Sequence, residues 1–120
     1  MRRKHQDLMA WQQAMELARV VYRQTAAFPK HELFGLVSQM RRAAVSVPAN
    51  IAEGAGRTSK KEFLQFLSIS RGSLNELDTY ILLSKDLGYL KDAADIEALT
   101  QRVFGLLGGL ISSERKLVAP

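Results

Sequence analysis

Ser46, Asn50, Glu53 and Arg57 fall at spacings of 4, 3 and 4, the repeat that puts side chains on one face of a helix. A later helical stretch offers Arg71, Asn75, Glu76 and Asp78. A carboxylate, an amide and a guanidinium gathered between two helices can form a polar pocket for a ligand. They can instead form a structural network that satisfies buried polar groups. Pro48 lies inside the first set, and a proline within a helix deprives the carbonyl four residues earlier of its donor. A network would have that carbonyl to serve. Nothing marks a nucleophile, or a base held by an orienting partner. The pattern therefore predicts a polar network of Ser46, Asn50, Glu53, Arg71 and Glu76, no catalytic residue, and a protein that is not an enzyme.

Other chemistries fare worse. The chain has no cysteine, which excludes disulfides and thiolate metal sites and suits a reducing cytoplasm. His5 and His31 lie on different segments, and neither a paired-histidine nor a Glu-x-x-His spacing is present. No metal and no cofactor is expected. Gly54-Ala55-Gly56-Arg57-Thr58-Ser59-Lys60 has glycines and a lysine but not the spacing of a phosphate loop. It reads first as a helix–helix turn, with anion binding at the following helix start as the alternative.

Charge gives the stronger functional signal. The net charge is +5, and it is uneven. Residues 1–61 carry 11 Lys and Arg against 4 Asp and Glu, a net of +7, whereas residues 62–120 carry 6 against 8, a net of −2. Such asymmetry marks a surface for nucleic acid or an acidic partner, or else a solvated face. Arg41, Arg42, Arg57, Lys60 and Lys61 are the nucleic-acid-binding candidates. They can neutralise phosphates without reading bases. Trp11, Tyr22, Phe63 and Phe66 lie at core rhythm and are expected inside rather than stacked on bases.

The elements that must position these residues are helices. Trp11, Met15, Ala18, Tyr22 and Thr25 set the first seam, with Asp7 as N-cap and Phe28-Pro29 as the stop. Leu33, Val37, Met40, Ala44, Val47 and Ile51 set the second. It runs through Pro48, which predicts a kink rather than a break, with Ser46 or Asn50 near the freed carbonyl. Ser59 and Glu62 form a capping box for the third, whose seam is Phe63, Leu67, Ser70, Leu74, Leu77, Ile81 and Ser84, closed by Gly88. The fourth opens at Asp92 with the seam Ile96, Leu99, Val103, Leu106, Leu110, Ser113 and Leu117.

Segments of about 20 to 30 residues joined by short turns predict an all-α, antiparallel up-down-up-down four-helix bundle. It forms one domain over residues 1–120, with 1–6 and 118–120 frayed at the ends. The N-terminal stretch lacks the apolar run of a secretory signal. The longest apolar run, Val103 to Ile111, is too short to span a membrane. Apolar residues beyond one seam (Leu64, Phe66, Ile69, Phe104, Leu107 and Ile111) and the glycines at 105, 108 and 109 point to a second packing surface.

The stretches Asp7–Gln12, Phe28–Lys30, Phe34–Ala44 and Ser46–Gly54, with Glu62-Phe63-Leu64, Arg71-Gly72-Ser73 and Glu76, resemble the bacterial four-helix-bundle family of 23S rRNA intervening-sequence proteins. The likeness covers nearly the whole chain. The glycine cluster of the fourth helix and the basic start are less typical. The resemblance implies a small cytosolic bundle with no catalytic activity. A related family, the accessory proteins of diversity-generating retroelements, forms positively charged pentameric barrels that bind a reverse transcriptase and nucleic acid. The expectation is therefore a homo-oligomeric ring, a pentamer by that likeness, that binds RNA or a nucleic-acid-handling protein. The alternative is a protein-interaction scaffold with no nucleic-acid role.

Overall fold

Four helices carry the chain: α1 (Met9–Thr25), α2 (Ser38–Ala55), α3 (Lys60–Asp86) and α4 (Ala94–Val118). The computed structural model describes residues 2–118, so Met1 and the two residues 119–120 lie outside the described residues. Consecutive helices pack against one another, and α4 closes the square on α1. Contacts between opposite helix ends establish the antiparallel order. Lys60 at the start of α3 pairs with Glu114 near the end of α4 at 3.4 Å, and Lys85 pairs with Glu97 at 3.0 Å. Arg41 near the start of α2 bonds Thr25 at the end of α1. The longest helix, with 27 residues, spans about 40 Å at 1.5 Å per residue and sets the longest molecular dimension of 49 Å.

The third helix follows the expected register throughout. Its buried residues are Phe63, Leu67, Ser70, Leu74, Leu77, Ile81 and Ser84. Ser59 caps it, accepting from the Glu62 amide at 3.0 Å, which satisfies one otherwise orphan donor. At the far end Tyr89 N donates to the Ser84 carbonyl and Gly88 N to that of Lys85, the paired bonds of a Schellman stop. Gly88 takes φ 78°, a left-handed angle that glycine adopts without a Cβ penalty.

The first and fourth helices are rotated from their expected seams. In α1 the buried set is Ala10, Ala14, Leu17, Ala18, Val21 and Thr25, leaving Trp11 and Met15 half-buried and Tyr22 exposed. In α4 the buried set is Ile96, Thr100, Val103, Leu107 and Ile111, so Leu99, Leu106 and Leu110 sit on its flanks. Both helices carry more apolar residues than one stripe holds, and packing selects among several possible stripes. Leu107 and Ile111 belong to the core, not to a surplus.

Several end signals also shift. Leu8, not Asp7, precedes α1, and Asp7 bonds Arg2 instead. The helix stops at Thr25, three residues before Phe28. Lys4–Asp7 forms a 3-10 turn, with His5 edge-on to Trp11 at 5.0 Å between ring centres. Helix α4 begins at Ala94, two residues past Asp92.

Helix α2 runs unbroken through buried Pro48. The departure from helical angles in this part of the chain is at Gly35 (φ −108°, ψ −109°), inside a π-turn over Leu33–Val37. Leu33, expected in the seam, is consequently exposed. Gly54, in the last turn of α2, is a glycine for a packing reason. A Cβ there would lie 2.7 Å from Phe66 Cβ, 2.9 Å from Phe63 Cδ1 and 3.2 Å from the Phe63 carbonyl. Gly56, the residue after the helix, has φ −81°, so α2 ends without a left-handed glycine.

Gly54→Ala should therefore destabilise the bundle by about 1–3 kcal/mol through overpacking, read as a lower urea midpoint at unchanged slope. Gly72 on α3 is the control, since a Cβ there meets nothing within 4 Å. Gly72→Ala should stabilise by up to about 1 kcal/mol from helix propensity.

Candidate functional site

The line that starts at Ser46 closes into a hydrogen-bonded seam between α2 and α3. Ser46 Oγ lies 2.8 Å from Ser73 Oγ. Asn50 Nδ2 donates to the Ser46 carbonyl at 2.8 Å and to Ser46 Oγ at 2.9 Å. One turn away, buried Ser70 donates to the Val47 carbonyl at 2.8 Å. These bonds flank Pro48, but they serve the carbonyls of Ser46 and Val47. No side chain of the described residues donates to the Ala44 carbonyl, the one a proline at 48 frees. Ser73 was not among the expected members. Its position three residues after Ser70, on the same flank of α3, was the available signal.

The charged members of the expected network are elsewhere. Glu53 is exposed, with 58% of its side chain accessible, and pairs with Arg57 at 3.6 Å rather than with Asn50. Arg71 is half-buried and makes no ion pair or side-chain hydrogen bond with the others. Glu76 is exposed and accepts from Tyr80 Oη at 2.8 Å. That bond, ahead of burial and the carboxylate charge, raises the Tyr80 phenol above its ordinary pKa. Glu53 and Arg71 follow their helix outward because burying a charge without close pairing is costly. Short hydroxyls and one amide complete the seam instead. Ser46 and Glu76 do share an open polar groove of about 360 Å³ with Arg42 and Ser73.

The basic candidates divide into two groups. Arg57 reaches Glu53 at 3.6 Å and Glu62 at 3.9 Å, and its guanidinium covers the Phe66 ring at 4.9 Å. Lys60 pairs with Glu114. Arg41, Arg42 and Lys61 have no ion-pair partner among the described residues. Arg41 is held in place: Nε donates to Thr25 Oγ1 at 3.0 Å, Nη2 donates to the Tyr22 carbonyl at 3.4 Å, and the guanidinium lies 4.7 Å from the Tyr22 ring centre. Arg42 is exposed beside it.

Arg41 and Arg42 line an open groove of about 650 Å³ with Tyr22, Leu33, Phe34, Val37, Ser38, Val45 and Ser46. The π-turn builds one wall. An extra residue in the turn carries Leu33 and Phe34 off the core stripe, and Phe34 is 92% exposed. Glu32 fastens this turn. Its Oε1 accepts from the Leu36 amide at 3.4 Å, and its Oε2 accepts from Tyr89 Oη at 3.0 Å. The Tyr89 bond raises that phenol's pKa and ties the turn to the loop between α3 and α4. Sequence periodicity misses Phe34, because a regular helix places it no differently from any residue beside a seam. The one cue is the glycine that follows it.

Among the described residues, no three His, Cys, Asp or Glu side chains gather to hold a metal ion. No helix of the described residues is long and apolar enough to cross a membrane. The family model described as 23S rRNA-intervening sequence protein matches residues 6–109. A search of curated proteins finds no match.

The two polar sets should respond differently to truncation. A double-mutant cycle of Ser46→Ala and Ser73→Ala should give a coupling of about 0.5–1.5 kcal/mol in urea unfolding. Glu53→Ala should lie within about 0.5 kcal/mol of wild type, as for most exposed sites. A thermal melt of Glu53→Ala falling by many degrees would place that carboxylate in the seam after all.

Proposed function

Because the chain belongs to the 23S rRNA-intervening sequence protein family, we propose that it is a non-enzymatic, cytoplasmic, homo-oligomeric bundle that binds RNA, or a protein that handles nucleic acid, through the basic face of α2. The observation that carries this reading is that three of the five basic candidates, Arg41 and Arg42 on α2 and Lys61 at the adjoining start of α3, have no ion-pair partner among the described residues. Phosphates supply the missing counter-charge, and release of condensed counterions supplies affinity without base reading. Arg57 and Lys60, already paired within the chain, contribute less.

Self-association rests on surface that the bundle leaves uncovered. Ile69, Leu82, Leu83 and Leu87 are exposed on or just past α3. A Cβ on Gly105, Gly108 or Gly109 would meet nothing within 4 Å, so no helix of the same bundle uses their close approach. A neighbouring subunit is the remaining use, and a ring of five is the arrangement that the likeness implies. A ring would multiply weak contacts through avidity. The same apolar surface supports a second reading, an interaction scaffold with no nucleic-acid role.

Sedimentation should give a species well above the 13.4 kDa of one chain. Labelled RNA should bind at low salt, with log affinity falling linearly against log salt. Replacing Arg42 and Lys61 with glutamine should weaken binding and flatten that slope by about 0.7 per lost contact to a single strand. Replacing Arg57 and Lys60 should change it less. Absence of RNA binding by wild type at low salt would leave the scaffold reading.

A further inference from the structure

We infer that the groove beside the π-turn is a stacking site for an unpaired base of single-stranded RNA, with Phe34 against the base and Arg41 and Arg42 on its phosphates. The inference rests on the RNA-binding reading above and adds a place and a strand state to it. A lone exposed apolar residue needs no explanation, but Phe34 is not a lone residue on a loose loop. It stands on a turn whose Glu32 is bonded to both the Leu36 amide and Tyr89, so its ring is presented from a fixed base. Both ring faces are open at 92% exposure.

The electrostatics select the occupant. No carboxylate lines this groove. Arginine carries five N–H donors; Arg41 commits two, to Thr25 and to the Tyr22 carbonyl, which leaves three for a ligand on a guanidinium that is already ordered. An apolar protein segment docked here would bury two guanidinium groups without a counter-charge. A nucleotide brings both the π-face that Phe34 can stack on and the phosphate that the arginines require. The groove volume of about 650 Å³ lies within the usual range for small-molecule sites. A duplex does not fit this chemistry, because its bases are already stacked on their neighbours, whereas unstacked bases in single strands are free to use aromatic side chains.

The test measures binding of a labelled oligouridylate and of an RNA duplex of matched length to wild type, Phe34→Ala, Phe34→Tyr and Arg42→Gln. Phe34→Ala should lose about fivefold to a hundredfold in affinity for oligouridylate, the scale of one stacked base, at unchanged sedimentation and with duplex affinity intact. Phe34→Tyr should restore it. Arg42→Gln should weaken both RNAs. Oligouridylate binding by Phe34→Ala equal to wild type overturns the stacking site, and equal losses on both RNAs do the same. A changed sedimentation coefficient with unchanged RNA affinity assigns the groove to a protein contact and also overturns it. If Arg42→Gln loses affinity where Phe34→Ala does not, RNA binding by the basic face survives and only the stacking site falls. If wild type binds neither RNA, the basic-face reading itself is wrong.

Discussion

The close contact between α2 and α3 is the constraint on which the rest of the bundle depends. Gly54 admits the Phe63 and Phe66 side chains where any Cβ would collide, and Ser70 and Ser84 are small enough to be wholly buried in the same seam. Small residues let two helix backbones approach, and close approach brings short hydroxyls within reach of the opposite helix. Ser70 then bonds the Val47 carbonyl, Ser46 meets Ser73, and Ser84 donates to the sulfur of Met40. Each bond fixes the register of one helix against the other. Around this pair the larger side chains fill the core. Leu67, Leu74, Leu77 and Ile81 from α3 are fully buried with Met40, Val47 and Ile51 from α2, and each such side chain contributes about 1.5–3 kcal/mol relative to exposure.

With one side of α2 held so tightly, its outward side is left to solvent, and the cations collect there. Arg41 leans on α1 through Thr25 and the Tyr22 ring, while Arg42 stands between the π-turn groove and the polar groove of Glu76. A regular helix would have kept Leu33 on the core stripe. The π-turn turns it and Phe34 outward, and the Glu32–Tyr89 bond anchors the turn to the opposite end of α3. Core formation and surface presentation are thus coupled at one end of the bundle: the chain gives up one buried leucine and gains an aromatic beside two arginines.

How far the sequence could be read depends on how many stripes each helix offers. On α3, the stripe through Phe63, Leu67, Leu74, Leu77 and Ile81 carries no charge, its two serines are small enough to be buried, and the capping box at Ser59 fixes its start. On α1, Ala10, Ala14, Leu17 and Val21 form a stripe as regular as the one through Trp11 and Tyr22. Alanine carries little hydrophobic weight in a pattern, yet it packs well where helices come close, and the buried stripe uses it. On α4, Leu99, Leu106 and Leu110 compete with Thr100, Leu107 and Ile111. Thr100 wins a buried place because its hydroxyl bonds the Ile96 carbonyl four residues back, at 2.7 Å, and so needs no outside partner.

The sequence by itself determined the four amphipathic helices, the cap at Ser59, the stop at Gly88, the exact core face of α3 and the imbalance of charge between the halves. Each is a local or periodic property, set by backbone angles, orphan donors and a repeat near 3.6 residues. The tertiary structure alone decided which stripe of α1 and α4 faces inward, and where the charged groups go. Glu53 shares the helical face of Ser46 and Asn50 in projection, but it lies near the end of α2, where it reaches solvent and Arg57. Whether a cation is neutralised is a matter of distance across the fold: Lys60 meets Glu114, 54 positions away in the chain, while Arg42, which shares a groove with Glu76, forms no ion pair among the described residues. The π-turn at Leu33–Val37 belongs to the same class, since its anchor, Tyr89, comes from the far side of α3 and no local pattern could have announced it.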